Sequence, residues 1–170
     1  MTSQKPALLI SACLLGQPVR YDGVGKAQPD HIMVRLLDVF ELIPLCPEIQ
    51  GGLPTPRPPA EIQHGDGRAV LAGSAWVKAE QGEDVTRAFL QGARQALETA
   101  LAHDCRHALL KAHSPSCGNR HIYDGSFGKH LRPGSGVAAA LLEQNGICVW
   151  NETEIEQLLL ASSPPLKRDN

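Results

Sequence analysis

The chain has 170 residues, of which 42% are hydrophobic, and a formal net charge of −2, enough apolar material for one domain that buries roughly two-thirds of its unfolded surface. This balance excludes a disordered chain and a strongly cationic nucleic-acid binder, and it leaves a small molecule as the expected partner. No run approaches the ~20 apolar residues of a membrane span, and residues 1–6 lack the apolar core of a secretion signal, so the protein is expected in the cytoplasm. Thiols stay reduced there, and the five cysteines therefore read as ligands, nucleophiles or core fillers, not as disulfide partners.

Residues 7–12 are an unbroken apolar run with one Ser, as in a strand buried on both faces of a parallel sheet, and the run stops at Cys13. Residues 14–26 read as loop. Asp30 is placed to cap an amphipathic helix over residues 30–37, with Ile32, Leu36 and Leu37 as its apolar stripe. Residues 39–45 form a second strand, which Pro47 ends. Gly and Pro dominate residues 51–59, so this stretch is an ordered loop. Residues 68–71 and 74–77 suggest a hairpin or strand.

Asp84 is placed to cap a long helix to His103, along which Val85, Phe89, Ala96 and Ala100 recur at helical spacing. Residues 107–111 are a third buried strand leading into a Ser-Pro-Ser-Cys-Gly loop at 114–118. Ser135 reads as the N-cap of a helix to Gln144, with Gly146 as its stop. Residues 147–150 are a fourth strand. Asn151 and Glu154 have capping-box spacing for a last helix to about Ala161, followed by a frayed tail over 162–170. The alternation predicts a single three-layer α/β domain over residues 1–161 with a mostly parallel, Rossmann-like sheet.

Cys13, Cys46 and Cys117 each follow a strand, in loops containing Gly or Pro, where the carboxyl ends of parallel strands open on one crevice. One such thiol reads as inert packing; three that converge suggest a metal centre. Cys105 and Cys148 fall outside this pattern and read as packing residues. Zinc usually takes close Cys pairs, and no pair is closer than Cys105 and Cys117. An iron–sulfur cluster is also held by thiolates, and spacing alone leaves both open.

Ser11-Ala12-Cys13-Leu14-Leu15-Gly16, Arg20-Tyr21-Asp22-Gly23, Cys46-Pro47-Glu48 with Gly51-Gly52-Leu53-Pro54-Thr55-Pro56-Arg57, and Ser114-Pro115-Ser116-Cys117-Gly118 with Ile122-Tyr123-Asp124-Gly125-Ser126-Phe127 resemble the bacterial 2-thiouracil desulfurase family. Residues 134–142 match as well, so the likeness covers nearly the whole chain. The resemblance implies a [4Fe-4S] cluster on Cys13, Cys46 and Cys117, with one iron left free for the sulfur of a thiolated pyrimidine. It implies non-redox desulfuration of thiouracil to uracil with release of sulfide.

The residues fit that chemistry. A Lewis acid on a thiocarbonyl sulfur opens the attached carbon to water, which then needs a base. Glu48, two residues past Cys46, would share its side of an extended segment, although it also reads as a solvated loop carboxylate. Ser114 and Ser116 can bond a pyrimidine edge or close their turn, and the resemblance favours Ser114 as the catalytic group. Lys111 can orient Glu48, hold substrate or snorkel. Arg20 and Arg57 read as structural ion-pair formers. The alternatives are desulfuration of a thiolated nucleoside or tRNA base, which the net charge disfavours, and a non-catalytic iron–sulfur or zinc sensor.

Overall fold

The computed structural model describes residues 4–163. In chain order the elements begin with β1 (Ala7–Ser11), a 3-10 turn (Ala12–Leu15), α1 (Asp30–Val39), β2 (Glu41–Leu45), α2 (Pro47–Gln50), β3 (Ala60–Gln63) and α3 (Gly67–Leu71). They continue with β4 (Trp76–Ala79), α4 (Thr86–Ala102), β5 (His107–Leu110), β6 (His121–Tyr123), β7 (Leu131–Pro133), α5 (Val137–Gln144), β8 (Cys148–Asn151) and α6 (Ile155–Ser162).

Four strands pair in parallel in the order β2-β1-β5-β8, with Leu8 opposite both Leu42 and His107, and His107 opposite Cys148. Side chains alternate across this sheet. Leu8, Ile10 and Leu109 enter one core with Leu36 of α1 and Leu158 of α6, while Leu9, Ala108 and Leu110 enter the other with Phe89 of α4 and Ala138 of α5. The three layers and the Rossmann-like sheet are as the sequence predicts. Strand order reverses between β1 and β5, and such switch points open a crevice at the carboxyl ends of the strands. Two antiparallel pairs, β3-β4 and β6-β7, lie outside this sheet.

Several expectations need correction. Residues 68–71 are helical and form α3, because the Asp66 carboxylate accepts the Arg68 and Ala69 N–H groups at 3.1 and 3.3 Å. The expected strand at 74–77 lies at Trp76–Ala79 and pairs with β3. Pro47 ends β2 and also opens α2, where its missing N–H costs nothing. Asp30 lies inside α1, and Leu37 is exposed while Met33 packs against the core. Asp84 accepts the Thr86 N–H at 2.9 Å one residue ahead of the cap position, Val85.

Ser135 caps nothing. The first N–H groups of α5 and its Gly136 cap are taken by backbone carbonyls of the Cys117 loop: Gly136 donates to Gly118, Val137 to Pro115 and Ala139 to Ser116 at 2.7–3.0 Å. At the last helix, Glu154 accepts the Asn151 N–H at 3.1 Å and Asn151 accepts the Thr153 N–H at 2.9 Å, so this pair closes the turn before α6. Cys105 is buried as expected, whereas Cys148 on the outer strand β8 is exposed. Residues 164–170, most of the expected tail, lie outside the described residues.

Candidate active site

Each of the three strand-end cysteines is held by a different local device. Cys13 sits in the 3-10 turn after β1, with its carbonyl accepting the Gly16 and Lys26 N–H groups at 3.0 and 2.7 Å. Cys46 occupies the cap position of α2, and its carbonyl accepts from Gln50 at 3.0 Å. Backbone contact fixes this short helix against α4. A Cβ on Gly92 would lie 1.9 Å from the Pro47 carbonyl oxygen, so only glycine admits this approach. Cys117 ends the loop in which the Ser114 hydroxyl accepts the Ser116 and Cys117 N–H groups at 3.1 and 2.9 Å.

The three thiols line one cavity of about 560 Å³ at the carboxyl ends of the central strands. All are free. Burial, with Cys46 nearby, pushes the Cys13 thiol up to about 11, and burial pushes Cys117 up to about 12 against hydrogen bonds from Ser116 and Ser11. Burial likewise raises Cys46. Three enclosed thiols that repel one another as thiolates form a donor set that a cationic soft-metal centre would complete. Among the described residues no three His, Cys, Asp or Glu side chains converge on the position of a single ion. A multi-iron cluster does not require that, since each thiolate meets its own iron.

Glu48 and Ser114 also line the cavity. Glu48 lies in the first turn of α2, not on an extended segment, and still reaches the cavity because Cys46 stands just outside the helix. Its carboxylate is held at both ends. Arg57 Nε donates to Oε1 at 3.2 Å, and the Ser116 hydroxyl donates to Oε2 at 3.1 Å. Ser116 Oγ also lies 2.9 Å from Ser114 Oγ, which makes a continuous hydroxyl path from Ser114 to Glu48. Ser116 is 1% exposed.

Arg57, and not Lys111, meets Glu48. Lys111 lines the same cavity, but its Nζ lies 2.8 Å from Glu152 Oε1 and donates to the Ala112 carbonyl. The remaining Arg57 donors reach the carbonyls of Pro54 and Val19 and the Thr55 hydroxyl at 3.0–3.1 Å. The expectation of an ion pair at Arg57 is met, and its partner is a cavity carboxylate. Arg20 pairs with Asp22 at 3.8 Å.

Sequence reasoning passed over Ser11. Its hydroxyl accepts the Lys111 N–H at 2.9 Å and donates toward Cys117 Sγ at 3.6 Å, joining β1 to the Cys117 loop. A single buried Ser closing an otherwise apolar strand was the available signal.

The 2-thiouracil desulfurase family model matches residues 8–154. The chain is 42% identical over 152 residues to YbbK of Bacillus subtilis (strain 168), described as an uncharacterized protein, across 89% of this chain and 99% of that one. It superposes with a TM-score of 0.82 and 44% identity on the solved structure of TudS, described as a [4Fe-4S]-dependent thiouracil desulfidase, covering 92% of this chain and 97% of that one. With the family match spanning most of the sequence and both relatives covered almost end to end, the chain belongs to the 2-thiouracil desulfurase family.

Proposed function

We propose that this protein is a [4Fe-4S]-dependent desulfidase that converts 2-thiouracil, or a closely related thiolated pyrimidine, to uracil and sulfide. The observation that carries this reading is the meeting of three free thiols with a doubly held carboxylate in one cavity. Cys13, Cys46 and Cys117 would hold the cluster. Bound there, the cluster would supply Lewis acidity toward a thiocarbonyl sulfur.

The balance is hydrolytic: one water supplies the carbonyl oxygen, the C–S bond breaks, and both water protons leave with sulfide and solvent. No electron is exchanged. Glu48 takes a proton from the attacking water and returns it toward the departing sulfur. Arg57 keeps its carboxylate fixed without blocking Oε2, and Ser116 links it to Ser114 at the cavity wall. Ser114, at the cavity end of that path, is the proposed catalytic hydroxyl and would meet substrate by releasing one of its bonds within the loop, while enclosed Ser116 acts by positioning Glu48. Lys111, held by Glu152, offers a cationic N–H to an exocyclic pyrimidine oxygen.

The test is Glu48→Gln, which keeps the shape and one acceptor oxygen but removes the base. Anaerobic sulfide release should fall on the order of 10²–10⁴-fold, with the visible spectrum unchanged. Turnover near the wild-type rate with an intact spectrum would remove Glu48 from the mechanism.

A further inference from the structure

The β6-β7 hairpin places its tip, residues 124–130, over the cavity, and Phe127 and Lys129 line it. Among the described residues five non-glycine side chains sit on left-handed backbone, and three of these, His113, Phe127 and Lys129, line this one cavity. For Phe127, at φ +58°, the left-handed region is unfavourable, since an aromatic residue has no local hydrogen bond to offset it. Such backbone persists where neighbours impose it.

The neighbours are identifiable. Buried Glu61 of β3 accepts both the Gly125 and the Phe127 N–H, at 2.9 and 3.2 Å, and Gln63 donates to the Gly125 carbonyl at 2.9 Å. A Cβ on Gly125 would lie 2.8 Å from the Ile62 carbonyl oxygen, so the tip is seated directly on β3. What the strained backbone gains is not packing. The half-buried Phe127 ring joins neither hydrophobic core, and it faces the cavity.

Building on the function proposed above, we infer that Phe127 is a specificity-determining residue whose ring stacks on the substrate's pyrimidine, with Glu61 as the residue that positions it. A planar heterocycle held face-on to an aromatic ring has its plane fixed by the stack, and hydrogen bonds along its edge, from Ser114 and Lys111, then set its rotation within that plane. The ligand class is a free pyrimidine base, sulfur-bearing or not.

The test uses the cluster-loaded protein, with equilibrium binding of uracil, which carries no sulfur, measured beside sulfide release from 2-thiouracil. Phe127→Gly suits the left-handed backbone, so its Tm should equal or exceed that of the wild type. Its Kd for uracil and KM for 2-thiouracil should rise roughly 10- to 100-fold, the size of one base–aromatic stack, with kcat within about threefold. Phe127→Tyr should restore binding. Glu61→Ala should weaken binding too, but add nothing in the Phe127→Gly background. Equal Kd values for wild type and Phe127→Gly, or no uracil binding by either, would overturn the role of Phe127. Absence of sulfide release by the wild type would instead sink the proposed function, with the Kd ratio still deciding the role of Phe127.

Discussion

Replacing Arg57 by Ala removes the clamp on Glu48 while leaving every proposed ligand and proton carrier in place. The Arg57 side chain is 4% exposed and that of Glu48 15%, so the pair is largely screened from water. Four donated bonds disappear, to Glu48, Pro54, Thr55 and Val19. Stranding one partner of a buried pair costs roughly 3–5 kcal/mol. Glu48 keeps Ser116 and some solvent access, which places the loss near 3 kcal/mol. For a chain of this size each kcal/mol lowers Tm by about 2–4 °C, so Arg57→Ala should melt about 6–12 °C lower. Turnover should fall about 10²-fold, as for a catalytic group displaced by about 1 Å. Arg57→Lys recovers the charge but not the fork and should fall between. The decisive assay is a double-mutant cycle with Glu48→Gln, by thermal melts of anaerobically prepared protein. With no carboxylate to strand, removing Arg57 should cost less, and the coupling should be about 1–3 kcal/mol. Strictly additive losses, or an Arg57→Ala variant within about 2 °C of the wild type, would refute the clamp.

The remaining predictions concern the thiols and their scaffold. Cys13→Ala, Cys46→Ala and Cys117→Ala should each abolish retention of iron and labile sulfide after anaerobic reconstitution, whereas Cys105→Ala and Cys148→Ala should retain both; an unchanged iron content in any of the first three would show that residue is no ligand. Chelator-stripped protein should recover activity with iron and sulfide but not with zinc, and recovery with zinc alone would favour the zinc reading. Gly92→Ala drives a Cβ into the Pro47 carbonyl and should destabilise the fold by about 1–3 kcal/mol or more. It should also lower iron retention through Cys46, and a normal melt with full iron content would contradict that packing.

The central sheet was legible because strands such as β1 and β5 are continuous apolar runs, and a parallel strand covered on both faces needs that pattern. The strand-end thiols followed from the same signal, since loops after such strands share one edge. The smaller elements left no such trace. Strands β6 and β7 have three residues each, and all of β7 is exposed, so no alternation marks them. Helix α3 was misjudged because Val70 and Leu71 suit a strand as well as a helix, and only the Asp66 cap decides. The Glu48–Arg57 pair spans nine residues of Gly and Pro turns whose path no periodicity describes. Phe127 was visible inside a motif, but its aim at the cavity depends on Glu61, which lies 66 positions away.

The central claim is that this cavity carries out hydrolytic loss of sulfur from a pyrimidine. Anaerobically reconstituted protein with measured iron and labile sulfide should be incubated with 2-thiouracil in the absence of any reductant or oxidant, and uracil and sulfide quantified together. The account predicts one uracil and one sulfide per substrate consumed, over many turnovers, with the visible spectrum retained. Fully loaded protein that releases no sulfide, or that does so only when a reductant is supplied, would contradict it.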